Sequence, residues 1–193
     1  MNRFFLAVVL LAIFTNHVQA NNQFKDFFNS FDRLSADFKQ TTHNEFNVLI
    51  GTTSGTLSFN RPTQLRWHTT FPNEQILLLN NNELWLVDIE LEQATLERTT
   101  DLTQTPLYWL INKPDQIENT PIFSHTENNI DWYKTTKKNK LYFGFTNNTL
   151  RAISLNNELG QKVLVSFDDV VINPQISPKI FELKLDPTFD VIR

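Results

Sequence analysis

The residues able to do chemistry are few and poorly spaced for it. Beyond the first twenty residues the histidines are His43, His68 and His125, scattered along the chain. None has the i, i+4 partner that would set two metal ligands on one helix face. Each reads as a surface or strand residue. Cysteine is absent, which removes thiol nucleophiles, disulfides, cysteine-based metal sites and any lipid-anchored cysteine. Gly51-Thr52-Thr53-Ser54-Gly55 has the look of a nucleophile elbow, but its serine is one place late and a strand pattern follows it. It reads as a hairpin turn. Asp168-Asp169 and Glu90 with Glu92 read as solvated carboxylates, and only a pair assembled by the fold would reopen catalysis. There is no glycine-rich phosphate loop. The sequence therefore predicts no enzyme, no cofactor and no metal. Arg61, followed by Pro62, is the remaining polar candidate. Its fixed fork of donors suits backbone carbonyls at a helix end, but from the residues alone it reads first as a surface arginine stabilising a turn at a strand end.

What the chain has in abundance is apolar surface. It has 193 residues, a prior of one domain. It carries 17 phenylalanines and 4 tryptophans against only 4 glycines. The net charge of −4 disfavours nucleic acid. Residues 24–39 place Phe24, Phe27, Phe28, Phe31, Leu34 and Phe38 at helical spacing, predicting one amphipathic helix with an aromatic face. Alternating segments follow at 56–60, 65–71, 75–79, 84–87 and 94–96, then at 121–125, 130–134, 140–146, 150–155, 162–167 and 179–183. Prolines and asparagines punctuate them, and Asn156 to Gly160 reads as a hairpin turn. Thr105-Pro106 reads as the cap and first residue of a short apolar helix that ends by Pro114. The fold class expected is mainly β with helices: about ten antiparallel strands forming an unclosed barrel, whose apolar cavity is lidded by the two amphipathic helices.

The first twenty residues read as an address. A short basic start, an apolar run from Phe4 to Phe14 and the ending Val18-Gln19-Ala20 make a cleavable signal peptide. The run is too short to cross a bilayer. Residues 21–193 are then one domain, expected in a periplasm.

Several motifs resemble the outer-membrane lipoprotein carrier (LolA) family. Ser54-Gly55-Thr56-Leu57-Ser58-Phe59-Asn60-Arg61-Pro62, then Arg66-Trp67, Pro72 and Gln75, follow one family motif. Leu84-Trp85-Leu86-Val87-Asp88 and Leu91-Glu92-Gln93-Ala94-Thr95 follow another, with Ile89 where the family commonly has proline. Thr105 to Leu110 and Phe181 to Pro187 resemble its short helix and closing strand. Asn80-Asn81-Asn82 stands where the family usually turns on a glycine. The resemblance implies a periplasmic chaperone for acylated lipoproteins. Such a carrier takes cargo from an inner-membrane LolCDE-type ABC transporter and delivers it to an outer-membrane LolB-type receptor. It also implies that Arg61 latches the lid helices, and that Leu65 lies at a rim used in handover or simply faces the cavity.

Cavity positions are expected at Phe24, Phe27, Phe28, Phe31, Leu57, Phe59, Leu65, Trp67, Ile76, Leu78, Trp85, Leu96, Leu107 and Leu110. Singly, each reads as ordinary core; as a set, under two apolar helices, they favour a cavity. A monomer is expected. The competing readings are a periplasmic lipoprotein sensor, which normally needs a second domain, and a lipid-acting hydrolase, which needs a nucleophile and base that the sequence does not offer.

Overall fold

The opening helix is shorter than its aromatic stripe suggests. The computed structural model describes residues 22–97, 102, 105–136, 140–157 and 159–193, so the signal segment lies outside the described residues. Helix α1 spans Gln23–Asn29, with the Asn22 side chain accepting from the Lys25 N–H at 3.3 Å. It ends where the Ser30 hydroxyl donates to the Phe27 carbonyl at 2.7 Å. Strand β1 (Arg33–His43) then buries Leu34, Ala36 and Phe38 and turns Arg33, Asp37 and Lys39 to solvent. The expected helix over 24–39 is thus helix followed by strand. Leu34 and Phe38 are four apart, a spacing that shares a face in either structure, so the stripe hides the change of period.

The strands that follow are β2 (Leu49–Asn60), β3 (Gln64–Phe71), β4 (Gln75–Asn80), β5 (Glu83–Asp88) and β6 (Gln93–Glu97). Helix α2 (Pro106–Ile111) begins at Pro106 as expected, but the Thr105 hydroxyl donates to the Leu102 carbonyl rather than serving the helix as a cap. A 3-10 turn at Pro114–Gln116 leads to β7 (Ile122–Glu127), β8 (Ile130–Lys134), β9 (Leu141–Thr146), β10 (Thr149–Asn156) and β11 (Lys162–Ile172). A final strand, β12 (Asp190–Ile192), lies parallel to β6; every other pairing among the described residues is antiparallel. Two expectations fail here. Residues 179–183 are not a strand: Pro178–Phe181 is a 3-10 turn in a tail that packs on the sheet. Gly51 to Gly55 is not a turn but part of β2. Gly55 is required there because a Cβ would sit 1.9 Å from the His68 carbonyl oxygen on β3.

The sheet order is β12-β6-β5-β4-β3-β2-β1-β11-β10-β9-β8-β7, an open series whose ends do not pair. It curls around the helices. Phe31, just past α1, meets Phe59 on β2, while Phe24 at its start meets Phe143 on β9. On a flat sheet those strands would be about 19 Å apart, whereas the two side chains start about 10 Å apart along a helix. Bulges in β2, β3, β7, β10 and β11 add the local twist that curling needs. The unclosed barrel with helices on its concave side is therefore the observed fold.

Hairpin geometry explains how so few glycines suffice. Asn81, Asn128, Asn129, Asn147 and Asn148 all adopt positive φ, between 51° and 61°. Their short side chains tolerate the left-handed region that tight hairpins demand. Asn81 thereby replaces the glycine expected in the β4–β5 turn.

Candidate functional site

The concave side holds one continuous apolar core. Phe24, Phe27 and Phe28 of α1 interlock edge to face with Phe143 and Phe145 of β9, at ring separations of 5.1 to 6.3 Å. Leu107 and Leu110 of α2 join the same cluster, as do Leu57, Phe59 and Leu65. Trp67 packs partly buried against it, 4.4 Å from the Phe38 ring. Leu65 pairs with Phe59 and Leu79 and is fully buried, so in this state it faces inward and not a partner. Ten of the fourteen expected cavity residues thus converge beneath or beside the helices.

Four do not. Ile76, Leu78, Trp85 and Leu96 lie in a separate cluster on the opposite face of the sheet. There Phe181, Ile180, Leu183, Leu185 and Phe189 of the C-terminal tail cover them. Arg66 fixes that tail by donating to the Ile180 carbonyl at 3.3 Å. The misplacement has a simple cause. Ile76-Leu77-Leu78-Leu79 and Leu84-Trp85-Leu86-Val87 are unbroken apolar runs, and an unbroken run gives no sign of which alternate residues face which side. The inward set is Leu77, Leu79, Leu84 and Leu86, which the sequence pattern does not reveal.

Cross-strand register places Leu57, Trp67, Leu77, Leu86 and Thr95 in one row across β2 to β6. Along that row burial falls from 0% exposure at Leu57 to 40% at Leu86. Where cover runs out, Trp67, Leu77, Leu86, Thr69 and Thr95 line a cavity of about 450 Å³. Its wall is continuous with the core under the helices through Trp67.

Arg61 closes the opposite end of the barrel. It follows β2, and its guanidinium reaches both helices. Nε donates to the Leu110 carbonyl at 2.9 Å, in the last turn of α2. Nη1 donates to the carbonyls of Phe28 and of Phe31, the latter at 3.2 Å, at the end of α1. Helix C-termini carry partial negative charge and unpaired carbonyls, so one cation there serves two helices. The guanidinium also lies 5.0 to 5.4 Å from the ring centres of Phe28, Phe31 and Phe59. Burial lowers its pKa to about 10, with Asp32 opposing that shift. Its Nη2 is buried and has no acceptor among the described residues. Asp32 and Lys113 form a second link at the same seam, 2.7 Å apart, joining the segments that follow α1 and α2. That bond holds the Asp32 carboxyl below its ordinary pKa.

The residues considered for catalysis are dispersed. His68 bonds Glu74 at 2.8 Å on β3, and His125 stacks on Trp132. Asp168 and Asp169 sit in β11, and Glu92 in the β5–β6 turn at positive φ. Among the described residues, no cluster of three or more His, Asp or Glu could hold a metal.

This arrangement agrees with what the chain is similar to. A solved structure of an uncharacterized conserved protein from Thermus thermophilus superposes with a TM-score of 0.55 at 9% identity, covering 91% of this chain and 99% of its own, which concerns the fold alone. An outer-membrane lipoprotein carrier protein of Pseudomonas paraeruginosa is 32% identical, covering 86% of this chain and 83% of its own. One of Legionella pneumophila is 25% identical over the full length of both. The profile described as outer membrane lipoprotein carrier protein LolA matches residues 29–184, taking in the barrel, the Arg61 corner and most of the tail. A half-barrel of this sequence, with an arginine set between two helix ends, belongs to the LolA family.

Proposed function

We propose that this protein is a periplasmic carrier of lipoproteins, holding their acyl chains between the helices and the concave face of the sheet. The observation that carries the reading is Arg61. One side chain ties the ends of both covering helices together through main-chain carbonyls, beside their aromatic packing on the sheet. Releasing it weakens the hold on both at once.

The physical need is clear. Each acyl methylene costs about 0.8 kcal/mol in water, so triacylated cargo demands a shield. A shield that must also let go, with no phosphate-binding motif to power it, has to be held weakly. The latch meets that need, because its charge is desolvated and one donor is unused. As described, Phe24, Phe27, Phe28 and Phe31 fill the space under the helices, the closed state. The Trp67–Leu86 cavity is where a first acyl chain enters, and further chains follow as the helices lift. In this reading residues 1–20 direct export and are removed, and residues 21–193 act as a monomeric domain. Cargo comes from a LolCDE-type transporter and goes to a LolB-type receptor that binds it more favourably.

The test is release from spheroplasts. Adding the purified protein should bring acylated lipoproteins into the soluble fraction as one-to-one complexes by native mass spectrometry. If none leaves the membrane while the protein is demonstrably folded, the proposal fails.

A further inference from the structure

We infer that two neighbouring hairpin tips form a pair of apolar fingers that dip into the headgroup layer of a zwitterionic phospholipid bilayer. The β1–β2 tip is Asn44-Glu45-Phe46-Asn47-Val48 and the β10–β11 tip is Asn157-Glu158-Leu159-Gly160-Gln161. They share one design. The first asparagine's side chain accepts from the third and fifth backbone N–H groups, at 2.9 to 3.0 Å in both tips. The fourth residue, Asn47 or Gly160, takes positive φ and donates to the first carbonyl. The first N–H donates to the fifth carbonyl. At the third position stands a large apolar residue: Phe46 is 77% exposed and Leu159 80%.

The two tips are adjacent. β1 pairs with β2 on one side and β11 on the other, with His43 opposite Lys162. Val48, Leu49 and Ile50 continue the exposed apolar surface down β2. The opposite end of the barrel provides a control within the molecule. Its hairpins turn on Arg61-Pro62-Thr63, Asn81-Asn82, Asn128-Asn129 and Asn147-Asn148, with no large apolar residue at any of these tips. Scattered apolar residues need no explanation, but the same turn repeated side by side with the same exposed position does.

Three observations point to a bilayer as the occupant. First, the first, third, fourth and fifth N–H groups of each tip are bonded within the tip, which lowers the cost of a low-dielectric surrounding. Second, two five-residue tips offer far less area than the roughly 20–30 residues a stable protein interface needs on each side. A bilayer needs no complementary shape. Third, both signs of charge are present: Glu45 and Glu158 belong to the tip sequences, and Lys162 follows directly behind. That pattern matches headgroups carrying an ammonium and a phosphate, and gives no reason for an anionic lipid. The inference does not depend on the carrier reading, because it concerns the protein without cargo.

The chain has no cysteine, so single cysteines can be labelled cleanly. Phe46→Cys and Leu159→Cys, each carrying the polarity-sensitive dye NBD, should brighten and shift to the blue with phosphatidylethanolamine–phosphatidylcholine vesicles. NBD on Val171→Cys, exposed at the other end, should not respond. Cosedimentation should fall roughly tenfold for Phe46→Ser and again for Leu159→Ser, with unchanged thermal melts. Salt should change it little. The inference is overturned if neither label responds, or if all three respond alike. It is also overturned if binding appears only with phosphatidylglycerol and vanishes in salt, or if the labels brighten with protein concentration alone, which would mean self-association.

Discussion

Replacing Arg61 by leucine removes a group that three carbonyls share. A hydrogen bond to a charged group contributes about 1.5–3 kcal/mol, so the three are worth several kcal/mol before costs. Against this stands desolvation: a guanidinium pKa brought down to about 10 corresponds to roughly 3 kcal/mol of penalty for the charge. The carbonyls of Phe28, Phe31 and Leu110 are then left at helix ends beside an apolar side chain, which is unfavourable in itself. The net loss is about 3 kcal/mol, and it falls on the docking of α1 and α2 rather than on the strand ladders. About 3 kcal/mol is two decades in an opening equilibrium. Hydrogen exchange read by mass spectrometry should therefore show peptides covering 23–31 and 106–112 exchanging about 100-fold faster in Arg61→Leu. Peptides from β1, β2 and β9 should stay protected. Arg61→Lys keeps the charge but, as a compact ammonium, cannot span both helix ends, so about tenfold is expected. Unchanged protection of the two helices, or an equal loss across the sheet, would refute the reasoning.

The Asp32–Lys113 link should be visible by titration. The depressed Asp32 pKa means the folded protein favours its ionised form, so its contribution is present at neutral pH and is lost as pH falls through the folded-state pKa. Lys113→Met should move the Asp32 carboxyl titration up toward the ordinary carboxylate range in carbon-detected NMR, with Arg61 and Arg33 still drawing it down. Gly55→Ala should cost about 3 kcal/mol or more in urea unfolding, because the new methyl meets the His68 carbonyl at 1.9 Å. Gly51→Ala, whose methyl meets only Thr42 at 3.9 Å, should stay within about 0.5 kcal/mol in the same assay. Phe181→Ala should cost about 3–5 kcal/mol, yet leave the affinity of a fluorescent fatty acid for the folded protein unchanged, since that ring packs on the outer face.

Much of this is legible in the sequence where a pattern has one reading. The β8, β9 and β10 segments alternate or are bounded by Asn-Asn pairs, and their limits lie within a residue or two of expectation. The short helix at Pro106 announces itself through Thr-Pro. Arg61 is legible as a candidate because its motif singles it out, but the identity of the three carbonyls needs the fold. Three features are hidden. The break after α1 falls where helical and strand spacings coincide. The facing of Ile76, Leu78 and Trp85 is undecidable inside unbroken apolar runs, and Leu96, on an alternating strand, is misplaced because the tail gives the outer face its own apolar cover. The tail reads as a strand because its leucines alternate, although it has no neighbouring strand to pair with until β12. Each failure is one of local pattern overruled by tertiary packing.

The asparagine turns bear on the protein before it folds. Among the described residues eight asparagines adopt the left-handed backbone, against a single glycine. A glycine would reach that conformation without strain, but it would also wander more widely in the unfolded chain, and that freedom must be surrendered on folding. Asparagine carries a small strain in the folded turn and narrows the disordered ensemble. Part of the barrel's stability is thus set in the denatured state, at turn positions outside the apolar core. The hairpin turns at both ends of the sheet are thereby restrained before the helices dock against it.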